Sequence, residues 1–462
     1  MPLSLLSRDA FLPGWLRGAG VFVVTLAIGM LLPGSATAQT SGPGGEATQD
    51  TLSLDDAVHE ALSANFQVRI ARTNAEVARN NVTLGNAGYL PVVTANGQAS
   101  QSRADAEQVF GGNRTEAAGV VSTRYDAGAE ARWTLFDGFR RGATFDRLQA
   151  ERGQQEAATR EQIERAVADV VIAYSDVARL QQQVTVFDEA VAISEERLEI
   201  AELRRDLGSA SDLEVRQARV DLNTDRADRL RAAADLMDAR ARLVRLLGRE
   251  TATGPPVAGE APLDPDLQEQ PLRAAAERQS PALQQARRAV DVAEEIVAEG
   301  RADWFPAIDL FAGYSYGRTK GGTGIFEFSE TSQFEAGAAL AFDIFDGFER
   351  QRRQENARIR VRTAEFTLAD AQARLRTEIT GAYERYRNRL QVLELEAENL
   401  EAAVQNVDIA LERFRLGTIA SIELREVQEQ RIQAESRLLN ARFEAKQAET
   451  ELLRLSGQLV GE

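Results

Sequence analysis

The sequence predicts a mainly helical chain with a smaller transmembrane β part, laid down as two copies of one plan. Three observations lead there. Landmarks recur at one fixed distance, long proline-free stretches hold an apolar heptad, and one stretch in each copy drops to a period of two. Residues 133–140 (WTLFDGFR) return at 342–349 (FDIFDGFE), 209 positions later, and 207–215 (LGSASDLEV) return at 416–424 (LGTIASIEL) at the same offset. Gly248 and Gly457 close the copies at that spacing again, while 88–91 (GYLP) and 303–306 (DWFP) match 215 apart. The organisation expected is an export signal (1–38), an N-terminal tail (39–51), a first repeat (52–248), a proline-rich linker (249–271) and a second repeat (272–457).

The export signal rests on Arg8 and Arg17, the apolar run Val21–Leu32, a Pro33-Gly34 break and the small-x-small Ala36-Thr37-Ala38. With no cysteine in the sequence, a lipid-anchored N-terminus is not expected. Each repeat then begins with an amphipathic helix, the first of which carries His59, read as structural. A β-hairpin follows, at about 91–136 in the first copy and about 306–345 in the second. From Val121, alternate residues run through Tyr125, Trp133 and Leu135, while Arg124, Asp126, Glu130 and Arg132 interleave; Ile308–Gly317 and Phe334–Phe345 alternate in the same way. One apolar face and one charged face describe strands with lipid on one side and water on the other. Glycine runs at 111–112 and 321–324 mark the hairpin tips. They lack the surroundings of a phosphate loop and read as flexible turns.

Long helices are expected at about 140–207 and 348–416, with return helices at about 212–248 and 421–457. From Ile163, steps of seven give Val170, Val177, Val184, Val191 and Leu198, with Ala166, Ala173, Leu180, Phe187, Ser194 and Ala201 forming the second row. A helix of about 100 Å needs partners along its whole length. Five of the twelve prolines fall in the linker, where regular structure is resisted.

Composition narrows function. With no cysteine, one histidine and a net charge of -17, thiolate chemistry, Cys/His zinc sites, most catalytic triads and broad nucleic-acid binding are excluded. No nucleophile–base pair, metal cluster or cofactor loop is visible, so neither an enzyme nor a cofactor is expected. Four strands cannot close a barrel, and an open edge in lipid is costly, so several chains must assemble: two would give eight strands and three would give twelve.

In its duplication, its strand-ending Phe-Asp-Gly (136–138 and 345–347), its helix-turn Leu-Gly (207–208 and 416–417) and its terminal glycines, the sequence resembles the TolC-type outer-membrane efflux proteins across about 52–457. The resemblance implies a homotrimer with a twelve-stranded barrel in outer-membrane lipid and a coiled-coil helical tube through the periplasm. It implies a passive exit duct docked to a periplasmic adaptor and an inner-membrane pump of the RND or ABC type. An exit component for type I protein secretion is the alternative of the same architecture, and a trimeric surface stalk or adhesin the alternative of another class.

By the same resemblance, Glu423 and Glu426 match paired acids that ring the periplasmic entrance, with Glu214 the first-copy equivalent of Glu423. On the sequence alone the pair also reads as a solvated helix face. Where some members latch the entrance with a tyrosine and an arginine, this chain has Phe414 and Ile419, which predicts a gate held in another way. Leu207, Gly208, Leu416 and Gly417 are the expected adaptor-contact turns, the glycines doubling as helix caps. Trp133, Trp304, Tyr314 and Tyr316 are expected either as membrane-interface anchors or as barrel packing.

Overall fold

The computed structural model describes residues 51–251, 254–321 and 328–460. The expected export signal, all but the last residue of the expected tail, and residues 322–324 of the second glycine run lie outside them. Helices α1 (Leu54–Ala64) and α2 (Phe66–Asn81) lead into strands β1 (Val92–Phe110) and β2 (Asn113–Phe136), then α3 (Arg140–Asp206) and α4 (Asp212–Leu246). The second copy repeats the order with α5 (Glu269–Gln279), α6 (Pro281–Arg301), β3 (Ala307–Lys320), β4 (Phe328–Ala341), α7 (Glu349–Arg415) and α8 (Ser421–Ser456). Both α3 and α7 have 67 residues, about 100 Å at 1.5 Å per residue. No helix among the described residues is long and apolar enough to cross a membrane.

Where the sequence suggests one opening helix per copy, the chain makes two. The buried Asn65 ends α1 and caps α2, its side chain accepting from the Gln67 and Val68 amides and donating to the Leu246 carbonyl at 2.6 Å. In the second copy Pro281, which cannot donate to the preceding turn, forces the same break. Gly248 and Gly457 end the return helices at φ +74° and +70°, pressed against the ends of α1 and α5. An added Cβ would lie 2.3 Å from the Ala64 carbonyl oxygen and 2.8 Å from that of Gln279, so both positions require glycine.

The linker is strapped across the long helices. Leu52 and Val257 form a parallel bridge, and Leu52 exchanges 2.9 Å bonds with Pro256 and Ala258. The Tyr386 hydroxyl donates to the Asp264 carbonyl, and burial pushes its pKa up to about 12. Two apolar cores lie at this level. One joins α1 to α3 and α4 through Ala57, Val170, Val177 and Leu243, and the other joins α5 to α7 and α8 through Leu272, Ile379, Tyr386 and Leu452.

The four strands form one antiparallel sheet in the order β1-β2-β3-β4, so the β2–β3 pair joins the two copies and β1 and β4 are the edges. In register, Asp126, Gly128, Glu130 and Arg132 of β2 meet Gly317, Ser315, Gly313 and Phe311 of β3. Those in turn meet Thr331, Gln333, Glu335 and Gly337 of β4. This is the polar face. Ala127, Ala129, Ala131, Trp133, Leu310, Tyr314, Phe334 and Leu340 line the other.

Each strand turns into its long helix through Asp-Gly-Phe. Gly138 and Phe139, like Gly347 and Phe348, are left-handed at φ +67° to +70°, a conformation that costs a side-chain-bearing residue about 1–2 kcal/mol. The turn is held by the Asp137 and Asp346 carboxylates, which accept from the Arg141 and Arg350 amides at 3.1 and 2.9 Å. Phe139 and Phe348 stack edge-on against Phe136 and Phe345 at 5.4 and 5.5 Å.

Candidate functional site at the helix-turn tips

The α3–α4 and α7–α8 turns end at the same level, side by side. Leu207 and Leu416 are exposed, and Gly208 and Gly417 follow at φ +76° and +75°, where their left-handed backbone closes the helix. Leu213 and Ile422 are exposed just beyond, so each tip presents a small apolar surface. Ser211 caps α4 by accepting from the Glu214 amide at 3.3 Å, and Glu214 itself is half-buried.

Glu423 and Glu426 stand on one exposed face of α8, and neither forms an ion pair among the described residues. Phe414 is fully buried, packed with Ala410 and Leu424, with Ile419 against the same cluster. The Arg204 guanidinium stacks over its ring at 4.5 Å and donates to its carbonyl, so Phe414 ties α3 to the α7 end through packing rather than through a hydroxyl. Arg415 adds a 2.8 Å ion pair to Glu196 of α3.

One group of residues escaped the sequence reading. Arg425, between the two glutamates in sequence, points the other way, into the interior, where its guanidinium meets the Asp225 carboxylate of α4 at 2.6 and 2.8 Å. Asp225 also accepts from the buried Ser194 hydroxyl of α3, so three helices converge on one carboxylate. Beside it the buried Arg197 pairs with Asp221. Burial works against the Arg425 charge, yet Asp225 and Glu429 outweigh it and hold the guanidinium above its ordinary pKa. Burial wins at Arg197 and lowers its pKa despite Asp221, with the Arg425 charge adding to the shift. Farther along, the Glu189–Arg431 pair at 2.6 Å links α3 to α8, and burial pushes the Glu435 carboxyl up against the opposing pull of Arg431.

A signal for this clamp was present. Ala218, Asp225, Ala232 and Ala239 are buried at steps of seven, so one aspartate interrupts an alanine seam. At the matching positions of the second copy stand Ala403 for Ser194 and Ala434 for Asp225.

At the far end of the long helices, Trp133, Tyr314 and Tyr316 sit exposed on the apolar face of the sheet, and the Trp133 indole donates to the Tyr89 carbonyl at 3.0 Å. Trp304 lies just before β3, under the Arg350 guanidinium at 5.2 Å. Among the described residues no group of His, Asp and Glu is placed to hold a metal ion.

The chain is 28% identical over 343 residues to Protein CyaE of Bordetella pertussis, covering 72% of this chain and 69% of the relative. It is 21% identical to the outer membrane efflux protein BepC of Brucella suis, over 88% of this chain and 86% of that one. It is 26% identical to the alkaline protease secretion protein AprF of Pseudomonas aeruginosa, over 69% and 66%. The fold is that of the Campylobacter jejuni CmeC outer membrane channel, with a TM-score of 0.71 and 13% identity over 92% of this chain and 94% of that chain. Residues 57–249 and 272–458 match the Outer membrane efflux protein family, and the chain belongs to that family of outer-membrane channels.

Proposed function

We propose that the chain works as a homotrimer, a passive exit duct that receives its cargo in the periplasm from an adaptor protein and an inner-membrane pump of the RND or ABC type. One observation carries this reading. The sheet pairs an apolar face with a charged one, and among the described residues neither edge strand, β1 or β4, has a second partner. In lipid such edges must be closed by other copies, and three copies supply twelve strands around a polar interior. The long helices make the same demand, since Leu230, Met237, Phe366, Leu395 and Ile409 are exposed apolar side chains on α4 and α7. In this reading the export signal at 1–38 carries the chain across the inner membrane, and the sheet then enters the outer one.

In this reading Glu423 and Glu426 ring the entrance, with Glu214 behind them, and the exposed leucines and glycines of the turns meet the adaptor. Arg425, Asp225 and Ser194 hold the entrance closed in place of the tyrosine–arginine latch that Phe414 and Ile419 lack. Export of polypeptides is a second reading, favoured by the name of AprF, whereas that of BepC favours efflux. Electron microscopy of the detergent-extracted protein tests the duct: a hollow three-fold particle with a shaft of about 100 Å is expected. A solid stalk or a compact monomer would refute it.

A further inference from the structure

The polar face of the sheet contains a cavity of about 490 Å³ lined by Asn96, Glu130, Arg132, Phe311, Gln333 and Glu335. Its floor is Gly313, which sits in register between Glu130 on β2 and Glu335 on β4. Neighbouring strands lie about 4.8 Å apart, so the two glutamates flank an empty residue at about 10 Å separation. One step along, Arg132, Phe311 and Gly337 are in register, and a Cβ on Gly337 would lie 2.8 Å from the tip of the Phe311 ring. The ring therefore leans across Gly337, forming an aromatic wall beside the cradle.

Gly313 is the unusual member of this face. Glycine in a strand interior costs about 0.5–1 kcal/mol relative to alanine, and a positive φ would justify it, but Gly313 has none. Close packing would justify it too. Phe311 fills the space over Gly337, and the Asp126 carboxylate comes within 3.0 Å of a Cβ placed on Gly317. At Gly313 the nearest atoms are the Ala129 carbonyl oxygen at 3.4 Å and the Glu130 Cα and Cβ at 3.8 Å, all at ordinary van der Waals distance. Neither backbone nor neighbour needs the missing side chain. What remains is room for a visitor.

The charges say what kind. Glu130 is paired to Arg132 at 2.9 Å, and Asp309 accepts from the Thr134 hydroxyl at 2.6 Å. Glu335 forms no ion pair among the described residues, and the set Glu130, Asp309, Glu335 and Arg132 sums to -2. We propose that this cradle in the barrel lumen is a binding station for organic cations with an apolar or aromatic body: the cation over Gly313 against Glu335, the body against Phe311. It rests on the duct reading, which places the polar face on the lumen, and it assigns cargo preference to the barrel as well as to the tips.

The test is ion flow through the trimer in planar bilayers with tetraphenylphosphonium added, and with tetraphenylborate as the anion of the same shape. Tetraphenylphosphonium should interrupt the current at concentrations about tenfold or more below those tetraphenylborate requires, a preference worth about 1.4 kcal/mol. Glu335→Gln and Gly313→Leu should each weaken the block about tenfold, and the second keeps every charge while filling the cradle. Equal block by both ions overturns the proposal, as does block that survives these variants but vanishes in Glu423→Gln/Glu426→Gln. A protein that conducts normally without any block also overturns it, whereas absence of conductance removes the duct reading itself.

Discussion

Replacing Arg425 by methionine separates a gate from a structural bolt. The guanidinium makes two bonds to Asp225, whose side chain is 4% exposed, and without it the carboxylate retains, among the described residues, only the Ser194 hydroxyl. Removing one partner of a buried pair costs about 3–5 kcal/mol, because the other charge stays buried. Arg197 lies close enough to feel Asp225 and restores part of the balance, which brings the expected loss to about 2–4 kcal/mol. If the clamp exists only while the tips are closed, that loss falls on the closed state alone. The open-to-closed ratio then rises about 30- to 700-fold, at 1.4 kcal/mol per factor of ten.

In planar bilayers the wild-type channel should dwell in a low-conductance state and Arg425→Met in a high one. The double variant Asp225→Leu/Arg425→Met leaves no orphan charge, so its melting temperature should return close to that of wild type while its conductance stays high. Two results would refute the reasoning. A destabilised Arg425→Met with wild-type conductance makes the clamp a bolt within the bundle. A double variant that closes again shows that the stranded Asp225 charge, not loss of the clamp, opened the single variant.

Further expectations follow from the same geometry. Glu423→Gln/Glu426→Gln should lower cation selectivity, read as a reversal potential moving toward zero in a salt gradient, and an unchanged value would take both residues out of the pore. Burial raises the pKa of Glu164 above its ordinary value, with Arg160 and Arg454 pulling the other way. A raised carboxyl costs the folded state stability as pH climbs from the unfolded to the folded pKa. Glu164→Gln should therefore melt higher than wild type at pH 7 and converge with it as pH falls below 4.5; a constant difference would refute this. Gly248→Ala and Gly457→Ala combine left-handed strain with a clash against the Ala64 or Gln279 carbonyl, so each should cost about 2 kcal/mol or more in thermal unfolding. Ala129→Arg, on the apolar face, should cost about 2–4 kcal/mol per chain at mid-membrane depth and impair assembly in lipid. Ser315→Arg, on the polar face, should not, and equal tolerance of both would refute the assignment of the faces.

The fold class was legible because its signals are periodic. Val170 and Val177, two steps of one heptad row, are fully buried, and the alternation around Tyr125–Leu135 became a strand with a charged face. The clamp was not read, because its partners lie 200 residues apart, on α4 and α8, and no local pattern links them. Arg425 stands between two exposed glutamates in sequence, yet helical spacing turns it to a different face from theirs. Phe414 was read by what it lacks. Its burial and the Arg204 stack became visible only once α3 and α7 were placed side by side.

The remaining mismatch carries information of its own. In the heptad rows of α3, Val170, Val177, Ala166, Leu180, Ser194 and Ala201 are buried, while Ile163, Val184, Val191, Leu198, Ala173 and Phe187 are only half-buried. Twelve positions of one pattern divide into two groups, yet nothing in their chemistry separates valine 177 from valine 184. What separates them is the presence of a neighbouring helix from the same chain. Burying the remaining surface of a branched apolar side chain is worth about 25 cal/mol per Å², so in the proposed trimer the half-buried members of a seam are the places for neighbouring copies to pack. The exposed Leu230 and Met237 on α4 and Leu395 and Ile409 on α7 extend that deficit around the helices. In the proposed trimer one heptad therefore serves two cores, that of the chain and that of the assembly.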